Sequence, residues 1–169
     1  IIKKRMVDPS KFKVSGLPVD YLDLEKYDIT NKTDTVIFNG RLCDEKQPWL
    51  FDKLEQRVKE ILGRGDIEFV KTQQKSLNKD SYYKLLAQSK CVVSYALQEN
   101  FGFGIAEAAY LGCTPVLPNR LVYPELYDEK YLYDTHEQSV IQVCDALQET
   151  QDRIKLNCDP LETWFGQGE

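Results

Sequence analysis

Histidine, methionine and tryptophan are nearly absent: the 169 residues hold one, one and two of them. The lone histidine, His136, sits in "YDTHEQS" beside an expected helix start, and no Ser-His-Asp or metal-ligand constellation uses it. The five cysteines, Cys43, Cys91, Cys113, Cys144 and Cys158, are odd in number and lack C-x-x-C spacing, so they read as buried thiols. No apolar run approaches the roughly 18 to 20 residues of a membrane-spanning helix. The opening "IIKKRM" is too short and too charged for a signal peptide. A soluble, cytoplasmic protein is the expectation. Positive charge is not in surplus either: the net charge of −5 does not advertise nucleic-acid binding, and Lys3, Lys4 and Arg5 read as a solvated terminus. Repeats and low-complexity tracts are missing. The chain starts at Ile1 and stops at "WFGQGE", which suggests a piece of a larger protein.

What is present is an alternation. Residues 1–33 carry scattered apolar positions and form an expected lead-in or interdomain segment. From there "TVIFNG", "IEFV", "CVVSYA", "TPVLP" and the short "YLY" read as strands. Between them, "QPWLFDKLEQRVKEILGRG" spaces Leu50, Leu54, Val58, Ile61 and Leu62 as one helical face, with glycines closing it. "SYYKLLAQSK" reads as a helix with a serine or aspartate as its N-cap. A helix of about two turns is expected over Phe103–Leu111, and "EQSVIQVCDALQETQDRI" places Val140, Val143, Cys144 and Leu147 on one face. Strands alternating with helices imply an α/β fold, a Rossmann-like parallel sheet with helices on both faces, here over residues 34–155.

In such sheets ligands bind at the carboxyl ends of the strands. Three polar clusters fall there: "NGRLCDEK", "VKTQQK" and "LQENFGFG". Gly102 and Gly104 flank Phe103 where a helix should begin, so backbone N–H groups can approach an anion, phosphate above all. Glu107 rises from that helix and Glu99 stands in the loop before it, both able to accept from hydroxyls. Arg41 and Lys46 follow the first strand and suit two phosphates, one through a planar fork and one as a point charge. A blander assignment also fits: Glu99 solvated, Glu107 matched to the helix dipole, Arg41 and Lys46 paired with Asp44 or Glu45. The tyrosines Tyr82, Tyr83, Tyr110, Tyr123, Tyr127, Tyr131 and Tyr133 read as packing residues. Tyr123 and Glu125 could also approach the cleft, and helix packing and capping explain them equally well.

"ENFGFGIAE" resembles the E-x7-E signature of retaining glycosyltransferases of the GT-B fold, family 4, and "AAYLGCTPVLPN" continues the likeness. "FNGRLCDEKQP" is similar to the G-R-L-x-x-x-K segment that opens the C-terminal domain of that family. The ordered match runs from about Thr35 to Leu147. Asn100 stands where the family often has glycine, and Phe103 replaces a common leucine. Within the family, Leu111–Leu126 is similar to enzymes that mannosylate queuosine in transfer RNA, although "FNGRL" follows the broad pattern and not that subgroup.

The resemblance implies the C-terminal, donor-binding half of a GT-B enzyme, with residues 156–169 a tail toward a missing N-terminal domain. Arg41 and Lys46 would contact the donor diphosphate and Glu107 the ribose hydroxyls. Glu99 would face the transferred sugar, and the backbone at Phe101, Gly102 and Phe103 would hold sugar hydroxyls and the distal phosphate, with the helix start at Gly104 beside it. The catalytic set is Glu99, Arg41 and Lys46. No cofactor or metal is implied beyond the UDP- or GDP-linked sugar itself. The acceptor is open, with a modified base in tRNA or DNA as one class. A non-catalytic nucleotide-binding domain and a sugar-nucleotide epimerase on the same fold are the competing expectations.

Overall fold

The computed structural model describes residues 21–149 and 152–154. Five strands, β1 (Thr33–Phe38), β2 (Glu68–Lys71), β3 (Ser89–Val93), β4 (Thr114–Pro118) and β5 (Leu132–Tyr133), lie in the order β2-β1-β3-β4-β5. Every pairing is parallel. Parallel neighbours need crossovers, supplied by α1 (Pro48–Leu62), α2 (Lys79–Gln88), α3 (Phe103–Tyr110) and the single turn α4 (Tyr123–Leu126). A final helix, α5 (His136–Gln148), packs beside α1. The architecture is the expected Rossmann-like α/β sheet.

Alternation along the strands sorts the core into two layers. Val36 and Phe38 of β1, Cys91 and Val93 of β3 and Val116 of β4 pack with Phe51, Leu54 and Val58 of α1 and with Val140 and Val143 of α5. Ile37, Val92 and Leu117 point the other way, into Leu86 of α2, Ala106 and Ala109 of α3 and Tyr123 of α4. Because both faces are covered, the strands are apolar at consecutive positions instead of every second one. Each such side chain contributes about 1.5–3 kcal/mol by leaving water. From the lead-in, Tyr21, Leu24 and Tyr27 join the second layer.

Several boundaries differ from the periodicity. β1 runs from Thr33 and ends at Phe38, which leaves Asn39 and Gly40 in the loop, and β3 ends at Val93, short of the expected Ala96. Phe51 takes the inner face of α1 with Leu54 and Val58, whereas Ile61 is 50% exposed. Asn78, not a serine or aspartate, caps α2, its side-chain oxygen accepting from the Ser81 N–H at 2.9 Å. Thr135 and Gln138 form a capping box at the start of α5. That helix stops at Gln148, and Ile154 donates its N–H to the Ala109 carbonyl at 3.1 Å, tying the chain to the end of α3.

Gly63 closes α1 in the left-handed conformation at φ +61°, and at Gly65 a side chain would meet nothing within 4 Å. Cys91, Cys113 and Cys144 are buried and Cys43 half-buried. Burial pushes the Cys113 thiol up to about 12, so it is inert at neutral pH. Cys158, Lys3, Lys4, Arg5 and the tail from 156 lie outside the described residues. Among the described residues no helix is long and apolar enough to cross a membrane.

Candidate functional site

The strand order locates the site. From β1 the chain moves to one side to form β2, then returns across β1 to form β3, so the connections leaving β1 and β3 diverge and a crevice opens between their carboxyl ends. A cavity of about 260 Å³ fills it. Its apolar lining comes from Phe38, Val93 and Ile105, and its polar lining from Asn39, Arg41, Lys46, Ser94, Glu99 and Tyr123.

Lys46 ends a 3-10 turn, Asp44–Lys46, that precedes α1. Its ammonium donates to Glu99 Oε2 at 2.9 Å and to the Gln98 carbonyl at 2.5 Å. The Leu97 N–H donates to the Glu45 carbonyl at 2.7 Å, so the loops after β1 and β3 are sewn together by backbone and side chain. The Lys46 and Glu99 side chains are only 13% and 24% exposed. Burial alone would raise the Glu99 pKa. The hydrogen bond and charge of Lys46, with the N–H groups of Phe101 and Asn100, outweigh it and hold the carboxyl below the ordinary glutamate value.

A depressed pKa stabilises the fold above the unfolded carboxylate value of about 4.3, and the benefit is lost as pH falls through the lower folded value. The melting-temperature gap between wild type and Glu99→Gln is therefore expected to be full at pH 7 and to close below about pH 4. A gap that stays constant down to pH 3 would contradict the ion pair.

Arg41 is exposed and reaches Glu45 at 3.6 Å, a weak surface pairing that leaves its guanidinium available to a ligand. Gly102 is the N-cap of α3 at φ +83°, with no side chain capping the helix. A methyl group there would stand 3.5 Å from the Tyr123 ring and 3.6 Å from Glu99 Cγ, so this turn rests on both residues. Gly104 is under tighter demand: a Cβ would lie 2.7 Å from the Asn39 side-chain nitrogen. The room expected to admit a ligand is filled by Asn39, whose amide donates to the Gly104 carbonyl at 2.8 Å.

The sequence-derived residues therefore divide. Arg41, Lys46 and Glu99 line the cavity together, whereas Phe101, Gly102, Phe103, Gly104 and Glu107 do not. Phe101 is buried against Phe103, with ring centroids 4.7 Å apart, and Phe103 is 49% exposed. Glu107 accepts from the Tyr83 hydroxyl at 2.8 Å and the Tyr82 hydroxyl at 3.3 Å. Tyr82 and Tyr83 are thus more than packing residues. Asn39, Tyr82 and Tyr83 are what the sequence reading missed.

The Asn39 amide also donates to Tyr82 Oη at 2.6 Å, and its Oδ1 accepts from Thr72 at 3.0 Å. Tyr123 does reach the cleft, its hydroxyl 2.8 Å from Ser94 Oγ. Tyr95 stacks on His136, whose Nε2 lies 3.2 Å from the Leu50 carbonyl, which gives that histidine a packing role.

No family model matches the chain. Over 100 residues it is 36% identical to the tRNA-queuosine alpha-mannosyltransferase of Drosophila melanogaster, a match covering 59% of this chain and 25% of that protein's length. Its fold is similar to the catalytic domain of cholesterol-alpha-glucosyltransferase from Helicobacter pylori, with a TM-score of 0.50 at 16% identity over 68% of this chain and 86% of that one. It is also similar to the pneumococcal O-GlcNAc transferase GtfA, solved in complex with UDP and GlcNAc, with a TM-score of 0.55 at 14% identity over 82% of this chain and 33% of that one. In sequence and in fold the chain is similar to GT-B glycosyltransferases.

Proposed function

We propose that this chain is the donor-binding half of a retaining glycosyltransferase that moves a hexose from a UDP- or GDP-linked sugar to an acceptor. The observation that carries the reading is the Lys46–Glu99 pair in the β1/β3 crevice, with Arg41 on the same cavity. An ammonium has three donor positions; Glu99 and the Gln98 carbonyl take two, which leaves one for a phosphate oxygen. Lys46 and Arg41 then stabilise the charge that develops on the departing diphosphate, the part a divalent cation plays elsewhere, so no metal is needed. Glu99 orients the sugar and stabilises positive character at its anomeric carbon without acting as a nucleophile. The acceptor's proton leaves on the diphosphate.

Leu42, Leu97, Phe103 and Leu121, 39%, 49%, 49% and 44% exposed, follow β1, β3 and β4 at the carboxyl end of the sheet. They suit a second, N-terminal domain of the same protein that closes over the cavity and carries the acceptor. Leu121 holds φ +61°, a strained conformation for a leucine and one that gathers at functional sites. The likeness to the queuosine mannosyltransferase supports a modified base in tRNA, with modified DNA as the related class, and a cytoplasmic setting.

Titration calorimetry of this chain with UDP, GDP and ADP tests the donor site. Glu107, beside the cavity and not in its lining, is assigned the ribose hydroxyls of a donor that extends past it. One of the three is expected to bind, and Glu107→Gln to weaken it about tenfold, the worth of a charged hydrogen bond. Failure of all three to bind would remove the reading.

A further inference from the structure

We propose that Tyr83 and Tyr82 of α2 are positioning residues for Glu107, holding its carboxylate ready for the vicinal diol of the donor's ribose. The inference rests on the donor-site reading above and adds to it the residues that act behind the glutamate.

Glu107 has little support from its own helix. The residue three positions before it is Gly104, and Ala106, Ala108 and Ala109 surround it in sequence. A glutamate left to itself on such a surface samples many rotamers, and ordering it on ligand binding costs affinity. Two phenols from another helix prevent that. Tyr83 donates to Oε1 at 2.8 Å and Tyr82 to Oε2 at 3.3 Å, one hydroxyl on each oxygen.

The count of acceptor sites makes this more than an internal tie. A carboxylate offers about four lone-pair sites, two on each oxygen, so one phenol apiece leaves one site apiece. Two adjacent hydroxyls on a five-membered ring are matched to that remaining pair. Burial raises the pKa of both phenols, so they stay protonated and donate. Tyr82 itself accepts from the Asn39 amide at 2.6 Å, which polarises its hydroxyl toward Glu107. Since Asn39 also lines the cavity one residue before Gly40 and two before Arg41, the same chain of bonds ties the ribose contact to the diphosphate loop.

The test compares one nucleoside diphosphate, UDP or GDP according to which binds tighter, with its 2′-deoxy counterpart. Titration calorimetry is run on this chain as wild type, Tyr83→Phe, Tyr82→Phe, Glu107→Gln and the Tyr83→Phe/Glu107→Gln double variant. Wild type is expected to prefer the ribonucleotide about tenfold, and Tyr83→Phe to cut that preference to about threefold by weakening the ribonucleotide alone. Adding Tyr83→Phe to Glu107→Gln should change nothing further. A Tyr83→Phe protein that keeps the full preference, or that weakens both ligands equally, overturns the proposal while leaving the donor site standing. A wild type that does not distinguish the two ligands removes the ribose contact of Glu107, and the positioning role with it. Should Tyr83→Phe not fold, Tyr82→Phe decides by the same two readings.

Discussion

Replacing Lys46 by methionine is expected, on the function proposed above, to slow sugar transfer by the whole protein about 10²- to 10³-fold, the usual cost of removing one preorganised charge partner from a developing anion. The same change should also lower stability. Glu99 would keep a largely buried carboxylate without its cation, at a cost of about 1–3 kcal/mol after allowing for its partial exposure. The two effects separate in the double variant Lys46→Met/Glu99→Gln, which removes the stranded charge. Its melting temperature should recover most of the loss, whereas its turnover should not. Initial rates with a nucleotide sugar and acceptor, beside calorimetric melting, check both. Turnover of Lys46→Met within threefold of wild type would mean that the lysine serves only as the salt-bridge partner of Glu99.

Phe38→Ala should have the largest effect on folding. The side chain is 1% exposed, at the last position of β1, with its ring centroid 5.5 Å from that of Phe51. Truncating such a residue costs about 3–5 kcal/mol, through lost burial and the cavity left behind. The location extends the damage. Ring atoms of Phe38 stand 3.2 Å from where a Cβ on Gly40 would be, so the loop that carries Asn39, Arg41 and Lys46 is seated on this ring. Urea unfolding should show the midpoint falling without a change in slope, and Phe38→Leu should recover much of the loss. A cost below about 1 kcal/mol would mean that neighbouring side chains collapse into the space.

Periodicity and punctuation were enough to expose the sheet, because strands buried on both faces concentrate apolar residues into short runs such as "TVIF" and "TPVL". The cavity-lining trio of Arg41, Lys46 and Glu99 was legible for a related reason: each follows a strand, where open sheets place their ligands. The Lys46–Glu99 contact itself was not. It joins residues 53 apart, and the sequence offered Lys46 a phosphate or, in the blander assignment, a near neighbour in its own loop, but not Glu99. The Asn39–Tyr82–Glu107 network was hidden in the same way, since it joins residues 43 and 25 positions apart through hydroxyls that resemble ordinary packing in a tyrosine-rich chain. Gly104 was recognised as a close approach, but the sequence did not disclose that the approaching group is a side chain of the protein itself.

The left-handed close of α1 at Gly63 and the open surroundings of Gly65 have a practical side. Because α1 runs back against β1, this turn sits at the amino ends of the strands, the pole opposite the crevice. The molecule thereby keeps its chemistry and its room for change apart. A lineage can lengthen that turn, or an engineer can attach a fluorophore or a fused domain to it, without disturbing the cavity between β1 and β3.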